Sequence, residues 1–139
     1  MSQSPNRLIG AIFGIVYLLV GVAGFFVTTN VAFAATAGKP LVVFDVNPLH
    51  NIVHLLVGAA LLIGSFTVRS AKAVNATVGG VYLLVGIVGL FLVGSSANIL
   101  ALNGADNVLH FASAILLLGV GLSADRSPAP ARATAGRTP

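Results

Sequence analysis

Four stretches of the chain are almost entirely apolar, and each is close to the roughly 20 residues that a helix needs to cross a bilayer. They run over about residues 8–27, 49–68, 77–94 and 106–122. Most polar residues lie between these stretches, in the segment 123–139, or near the starts of the second and fourth stretches. The pattern predicts an all-α fold: a four-helix transmembrane bundle within residues 1–122, followed by a disordered tail at 123–139.

The first apolar stretch has a second interpretation, as a cleaved signal peptide. Arg7 would supply its positive charge, and the segment Ala32–Ala34 resembles a cleavage site. The stretch is, however, longer than the apolar region of about 7 to 15 residues in a signal peptide. Its sequence also recurs in the third stretch. We therefore expect a membrane helix.

The chain contains an internal repeat. VYLLVG occurs at Val16–Gly21 and again, 65 residues later, at Val81–Gly86. NPLHNIVH at Asn47–His54 aligns with NGADNVLH at Asn103–His110, 56 residues later. The sequence therefore predicts a duplicated two-helix unit. Because each unit has an even number of helices, both halves keep the same orientation and are related by a pseudo-two-fold axis along the membrane normal.

These motifs resemble those of a family of small actinobacterial integral membrane proteins, which have four helices and no established activity. The resemblance covers Arg7 to Leu122 and rests on the segments NPLHNIVHLLVG and DNVLH. It implies a four-helix membrane bundle and points to no substrate or cofactor.

The distribution of basic residues predicts the orientation. Of seven Lys and Arg residues, only Lys39 lies in the connections expected on the opposite side from the other six. By the positive-inside rule, the N- and C-termini of this multi-pass cell-membrane protein are cytoplasmic. No basic stripe with interleaved aromatic residues is present, so we expect no nucleic-acid partner. The expected partner is the lipid bilayer, with other membrane proteins or a second copy of the chain as further candidates.

Residue types and motifs exclude several activities. The chain has no cysteine, which rules out disulfides, thiolate metal sites and covalently attached haem. The nucleotide-binding loop, the G-x-S-x-G nucleophile motif and the H-E-x-x-H zinc motif are all missing from the sequence,. We therefore expect no enzymatic activity.

Polar residues mark the starts of the second and fourth helices at equivalent positions. Asn47 precedes Pro48 and Asn103 occupies the matching place, so both are predicted N-caps. Asp106 stands three residues after Asn103, where its carboxylate can complete a capping box. His50 is expected near the membrane interface, within reach of water. Deeper polar residues need partners inside the bundle: Asn51, His54, Asn107 and His110.

Four interpretations of the polar residues remain open. We favour a hydrogen-bond network in the outer leaflet, with the Asn amides bridging the pseudo-axis, in an accessory or scaffolding protein without a cofactor. The second is a zinc site and the third is a b-type haem held by two His residues. The fourth is a small transporter or proton relay. The residues of the network are His50, Asn51, His54, Asp106, Asn107 and His110; the zinc ligands would be His50, His54, His110 and Asp106, and the haem ligands His54 and His110.

Two further repeated features concern the first and third helices. Tyr17 and Tyr82 are equivalent, and helical rise places their hydroxyls within about 5 Å in depth of His54 and His110. We therefore expect either a Tyr–His hydrogen bond or aromatic packing. The glycines of both helices form small-residue faces that favour close packing: Gly10, Gly14, Gly21, Gly24, Gly79, Gly80, Gly86 and Gly89.

Overall fold

The described part of the chain, residues 4–125, forms four helices and a short β-hairpin in a computed structural model. The predicted all-α helix bundle is confirmed. The greater part of the expected disordered tail, residues 126–139, lies outside the described residues. In chain order the elements are α1 (Pro5–Val27), β1 (Lys39–Leu41), β2 (Phe44–Val46), α2 (Pro48–Gly64), α3 (Val68–Leu92) and α4 (Gly104–Ser123).

The third helix begins well before the position expected from hydropathy. We predicted its start near Thr77, but α3 begins at Val68, and α2 ends at Gly64 instead of near Val68. Thr67 is the N-cap of α3, and its side chain accepts a hydrogen bond of 3.1 Å from Ser70 N. The first turns of α3 are too polar to register as an apolar stretch, although Ala and Lys favour helix.

The duplication is visible in the packing of the helices. α1 packs chiefly against α2, and α3 chiefly against α4. A Cβ at Gly14 would lie 2.6 Å from Leu62 N, and a Cβ at Gly79 would lie 2.7 Å from Leu118 N. The two glycines are 65 residues apart and the two leucines 56 residues apart, as in the sequence repeat. The same close helix contact is therefore built twice.

The two halves meet around a core of paired equivalent residues. Tyr17 and Tyr82 lie in this core, with Leu61 of α2 and Leu117 of α4. The two tyrosine rings, one from α1 and one from α3, have centroids 5.4 Å apart. Equivalent residues of the two repeats therefore meet at the centre of the bundle.

The outer surface of the bundle is apolar, while several polar side chains are buried. Phe26 and Phe91 occupy equivalent positions, and each is 79% exposed. Three helices (α1, α3 and α4) are long and apolar enough to cross a membrane. The fourth, α2, has 17 residues and spans roughly 25 Å at 1.5 Å per residue. This distribution indicates a membrane protein, because buried polar and exposed apolar side chains suit a lipid environment.

The connection between α1 and α2, which was expected to be a loop, contains the hairpin. β1 and β2 pair antiparallel, with Leu41 opposite Phe44. The turn residue Val42 has φ 63°, a left-handed conformation that is uncommon for a β-branched residue. Val43 O, next in the turn, accepts a hydrogen bond of 3.0 Å from Asn103 Nδ2. The hairpin is thereby attached to the start of α4.

Candidate functional site

Asn47 connects the start of α2 to both loops at this end of the bundle. Its Oδ1 accepts a hydrogen bond of 2.8 Å from His50 N, which caps the helix. Its Nδ2 donates to Ala35 O and to Ile99 O, each at 2.8 Å. Ala35 belongs to the α1–α2 connection and Ile99 to the α3–α4 connection. A single buried amide therefore holds one helix start and two loops together.

Asn103 and Asp106 form a capping box at the start of α4. Asn103 Oδ1 accepts from Asp106 N at 3.0 Å, and Asp106 Oδ2 accepts from Asn103 N at 2.8 Å. The capping box satisfies two backbone N–H groups that would otherwise lack helical partners. One carboxylate oxygen of the buried Asp106 is thus occupied by the cap of its own helix.

The amides of Asn51 and Asn107 are directed into their own repeats. A methyl group at Gly24 would overlap Asn51 Oδ1, and a methyl group at Gly89 would overlap Asn107 Oδ1. Asn51 Nδ2 donates to Thr28 Oγ1 at 3.0 Å. Our expectation that the two amides bridge the pseudo-axis is wrong. Each amide instead fits into the space left by a glycine of the adjacent helix.

His50 is buried, contrary to the expected position within reach of water. Its side chain is only 2% exposed. Its Nδ1 lies 3.2 Å from Asp45 O, in strand β2. The hairpin supplies this contact, and the sequence alone did not indicate that the α1–α2 connection folds back onto α2. The His50 ring packs on that of His54, with centroids 4.4 Å apart.

A series of packed rings crosses the centre of the bundle. We call it the His/Tyr cluster; its members are His50, His54, Tyr17, Tyr82 and His110. Centroid distances are 5.4 Å from His54 to Tyr17, 5.4 Å from Tyr17 to Tyr82 and 5.3 Å from Tyr82 to His110. Aromatic packing, one of the two expected relations between Tyr and His, is the one observed. Within residues 4–125, the buried Nδ1 atoms of His54 and His110 have no hydrogen-bond partner.

The two tyrosine hydroxyls have different surroundings. Tyr17 Oη lies 2.8 Å from Ser113 Oγ, within hydrogen-bond distance. Tyr82 Oη is buried, and no residue of the described chain bonds to it. The repeat explains the difference, because the position equivalent to Ser113 is occupied by Val57, 56 residues earlier. Ser113 was not predicted as a site residue, although its place three residues after His110 was a usable signal.

A second polar cluster lies at the opposite end of the bundle and was also missed. We call it the Asp125 cluster; its members are Ser4, Asn6, Asn75 and Asp125. Asp125 Oδ2 accepts from Ser4 Oγ at 2.8 Å, from Asn6 Nδ2 at 2.9 Å and from Asn6 N at 3.1 Å. Asn75 Nδ2 donates to Asn6 O at 2.9 Å. The bond from the Asn6 side chain, followed by those from Ser4 and the Asn6 backbone and by the nearby Lys72 charge, lowers the pKa of Asp125.

Two basic residues close helix ends near the Asp125 cluster. Arg7 Nε donates to Ser65 O at 2.9 Å, after the end of α2. Lys72 Nζ donates to Ala124 O at 2.7 Å, after the end of α4. Cations interact favourably with the carbonyl-rich ends of helices. Arg7 and Lys72 are 65 residues apart, so the repeat spacing was a signal for this shared role.

The chemistry of the His/Tyr cluster is that of packed aromatic rings and hydrogen-bonding groups. Within residues 4–125, no group of three or more His, Cys, Asp or Glu is placed so that it could hold a metal ion. His50 is next to a backbone carbonyl and Asp106 is bonded to the start of its own helix. Within residues 4–125, the groups of this cluster that are buried without a hydrogen-bond partner are the Nδ1 atoms of His54 and His110 and the Oη atom of Tyr82.

A duplicated pair of helices, polar towards the interior and apolar towards the outside, defines a small helical-bundle membrane protein. Comparison with protein families gives a match to Domain of unknown function (DUF4383) over residues 7–123. The chain belongs to this family. Comparison with curated proteins and with solved structures gave no match.

Proposed function

We propose that the protein is a non-enzymatic accessory or scaffolding protein of the cell membrane. The observation that carries the proposal is the use of the Asn47 side chain, which bonds to the backbone of both loops at the hairpin end. Such bonds hold the loops in one arrangement relative to the helices. A fixed loop surface supports recognition of another membrane protein or of a second copy, because little conformational freedom is lost on binding.

We further propose that all four helices span the membrane, with the hairpin outside and both termini in the cytoplasm. The length of α2, 17 residues, is at the lower limit for a spanning helix. Its packing against α1 matches that of the longer α4 against α3. Arg7, Arg69 and Lys72 lie at the end opposite the hairpin, which carries Lys39. This distribution of charge supports the orientation.

Single cysteines test the orientation without background, because the chain has none of its own. Thr36→Cys places a thiol in the hairpin connection, and Phe66→Cys places one between α2 and α3; both positions are exposed. A membrane-impermeant maleimide applied to intact cells should label Thr36→Cys and spare Phe66→Cys. Both variants should react after the cells are opened. Labelling of Phe66→Cys alone in intact cells would reverse the proposed orientation.

The same variants test the scaffolding role. A homobifunctional thiol crosslinker or a thiol-to-amine crosslinker, added to intact membranes, should convert Thr36→Cys into an adduct of discrete higher mass. That mass distinguishes a second copy from another protein. Phe66→Cys, at the opposite end, serves as the matched control. A Thr36→Cys protein that reacts fully with maleimide but gives no discrete adduct with either crosslinker would argue against a partner at the hairpin surface.

A further inference from the structure

The outward faces of α2 and α4 carry opposite patterns of large and small side chains. The α2 face reads large, small, small, large and consists of Leu56, Ala59, Ala60 and Ile63. The α4 face reads small, large, large, small and consists of Ala112, Ile115, Leu116 and Gly119. Because the members are spaced at i, i+3, i+4 and i+7, each set lies on one side of its helix. All of them are exposed except the half-buried Ala59.

The two faces occupy equivalent positions of the repeat. Each residue of the α4 face comes 56 residues after its counterpart on the α2 face, which is also the spacing of the two N-caps. Both helices begin at the hairpin end, where Asn47 and Asn103 bond to the loops. Matching positions in two copies inserted in the same orientation therefore lie at the same depth. At each such depth, a large residue of one face is matched by a small residue of the other.

The α2 face and the α4 face lie on different sides of the bundle. α1 packs against α2, α3 and α4, and α3 also packs against α2 and α4. Within residues 4–125, α2 and α4 are therefore on opposite sides of the α1–α3 pair. One copy cannot bring its own two faces together. The complement of each face is available only on a second copy.

Gly119 is not required for packing within residues 4–125. A Cβ at this position would meet no atom of the described chain within 4 Å, apart from its own helical turns. Gly14 and Gly79, by contrast, admit the backbone of a neighbouring helix of the same chain. Glycine inside a helix is less favourable than alanine by about 1 kcal/mol. The open space at Gly119 suits a side chain from outside the chain, and Ile63 is the large residue at the matching depth.

We propose that copies of this chain associate side by side in the membrane, with the α2 face of one copy packed on the α4 face of the next. Ile63 of one copy then lies beside Gly119 of its neighbour, and the two alanines of the α2 face receive the two large residues in the middle of the α4 face. Helix association in lipid depends on close packing of this kind. Because the contact joins two different faces, it can repeat from copy to copy. It lies on the sides of the bundle and does not rest on the scaffolding role of the hairpin surface.

Energy transfer between copies tests the association. Phe66→Cys, exposed in the connection between α2 and α3, provides the single thiol for a donor or an acceptor dye. The two labelled pools are mixed in detergent and reconstituted into phosphatidylcholine vesicles at a low protein-to-lipid ratio. Energy transfer should exceed the level calculated for randomly distributed molecules and should decrease when unlabelled protein is included. Transfer at the random level would overturn the proposal.

Two glycines provide a matched pair of substitutions in the Phe66→Cys background. A Cβ at Gly80 also meets nothing within 4 Å, and Gly80 belongs to α3, away from both faces. Gly119→Leu should preserve the fold but weaken association about tenfold or more, because leucine occupies the space for Ile63. Gly80→Leu should leave the association constant within about twofold of the parent. Equal effects of the two substitutions would contradict the proposed contact.

A compensating substitution distinguishes loss of the contact from misfolding. The double variant Ile63→Gly/Gly119→Leu exchanges the large and the small member of one pair, so it should recover most of the energy transfer. Ile63 is next to the last residue of α2, where a glycine has little effect on the helix. A double variant that stays at the random level would overturn the pairing of these faces. Repeating the Thr36→Cys crosslinking with Gly119→Leu separates a partner at the hairpin surface from a neighbour at the α4 face.

Discussion

At the scale of single residues, the repeat places identical side chains in different chemical surroundings. The Tyr17 hydroxyl lies within hydrogen-bond distance of Ser113. In the other repeat the position equivalent to Ser113 is Val57, which offers Tyr82 no hydrogen-bonding group. A buried hydroxyl contributes to stability when it is bonded and is unfavourable when it is not. The two tyrosines therefore make different contributions to stability, although their rings pack in similar ways.

Removal of each hydroxyl should reveal this difference. We expect Tyr17→Phe to destabilise the protein by about 1 kcal/mol, because Ser113 Oγ loses its partner. Tyr82→Phe should be neutral or slightly stabilising, since its hydroxyl has no partner among residues 4–125. Thermal unfolding in one detergent, followed by circular dichroism, measures both variants. An equal loss in the two would indicate that Tyr82 also has a hydrogen-bond partner.

Capping roles were predictable at this scale, whereas the neighbours of deeper residues were not. Asn before Pro at position 47 and Asn three residues before Asp106 are local signals, and each is sufficient to mark a helix start. The spacing of the polar residues along the sequence also predicts which face of α2 carries Asn51. Which helix lies opposite that face is decided by packing. For this reason the contact of Asn51 with Gly24 was not predicted.

At the scale of elements, the start of α2 is the point where two loops and one helix meet. Asn47 provides all three connections through one side chain. The start of α4 is simpler, because Asn103 Nδ2 makes one exposed bond to Val43 O. The two equivalent N-cap side chains therefore differ in the number of neighbouring segments to which they bond.

Serine at the two caps should separate these roles, since serine still caps a helix but lacks the amide donor. We expect Asn47→Ser to cost about 1 to 3 kcal/mol, because the carbonyls of Ala35 and Ile99 both lose a donor. Asn103→Ser, the matched control, should cost less than about 1 kcal/mol. Thermal unfolding measures the loss, and amide hydrogen exchange in the two loops reports where it occurs. Similar losses in both variants would contradict the special role of Asn47.

Hydropathy predicted the number of helices but not every boundary. The apolar stretches identify α1 and α4 to within a few residues because their spans are uniformly apolar. The start of α3 contains Arg69, Lys72 and Asn75. Lys72 and Asn75 form hydrogen bonds at the bundle end, and the exposed Arg69 is also accommodated within the helix. The hairpin was not predicted because its turn at Val42 lacks the glycine or asparagine typical of such turns.

At the scale of the whole molecule, the Asp125 cluster joins the first helix of the chain to the residues that follow the last helix. Asp125 follows α4, while Ser4 and Asn6 lie at the start of α1. Asn75 adds α3 to the same group. Because the bonds favour the charged form, the folded-state pKa of Asp125 is below the ordinary value. Its stabilising contribution is therefore present above an unfolded pKa of about 3.9 and is lost as the pH falls through the lower folded pKa.

The pH dependence of Asp125→Asn tests this connection. At pH near 7 the variant should unfold at a lower temperature than wild type, because the amide replaces a charged acceptor. Below a pH of about 4 the difference should begin to narrow, because the unfolded wild-type carboxylate then takes up a proton, and it should disappear once the pH falls below the lower folded-state pKa of Asp125,. The two other acidic residues, Asp45 and Asp106, are common to both proteins. A difference in unfolding temperature that stays constant across this range would contradict an ionised Asp125.

The contacts within each repeat have a consequence for how the molecule assembles during synthesis. Gly14 meets Leu62, and Gly24 meets Asn51, entirely within the first half of the chain. This pair of helices can reach its native arrangement while the ribosome is still producing the second pair, because N-terminal units generally fold first. The bonds of Asp125 to α1 can form only after the last helix has emerged. The order of translation thus matches the order of assembly. The first helix pair packs early, and the bonds of Asp125 close the bundle last.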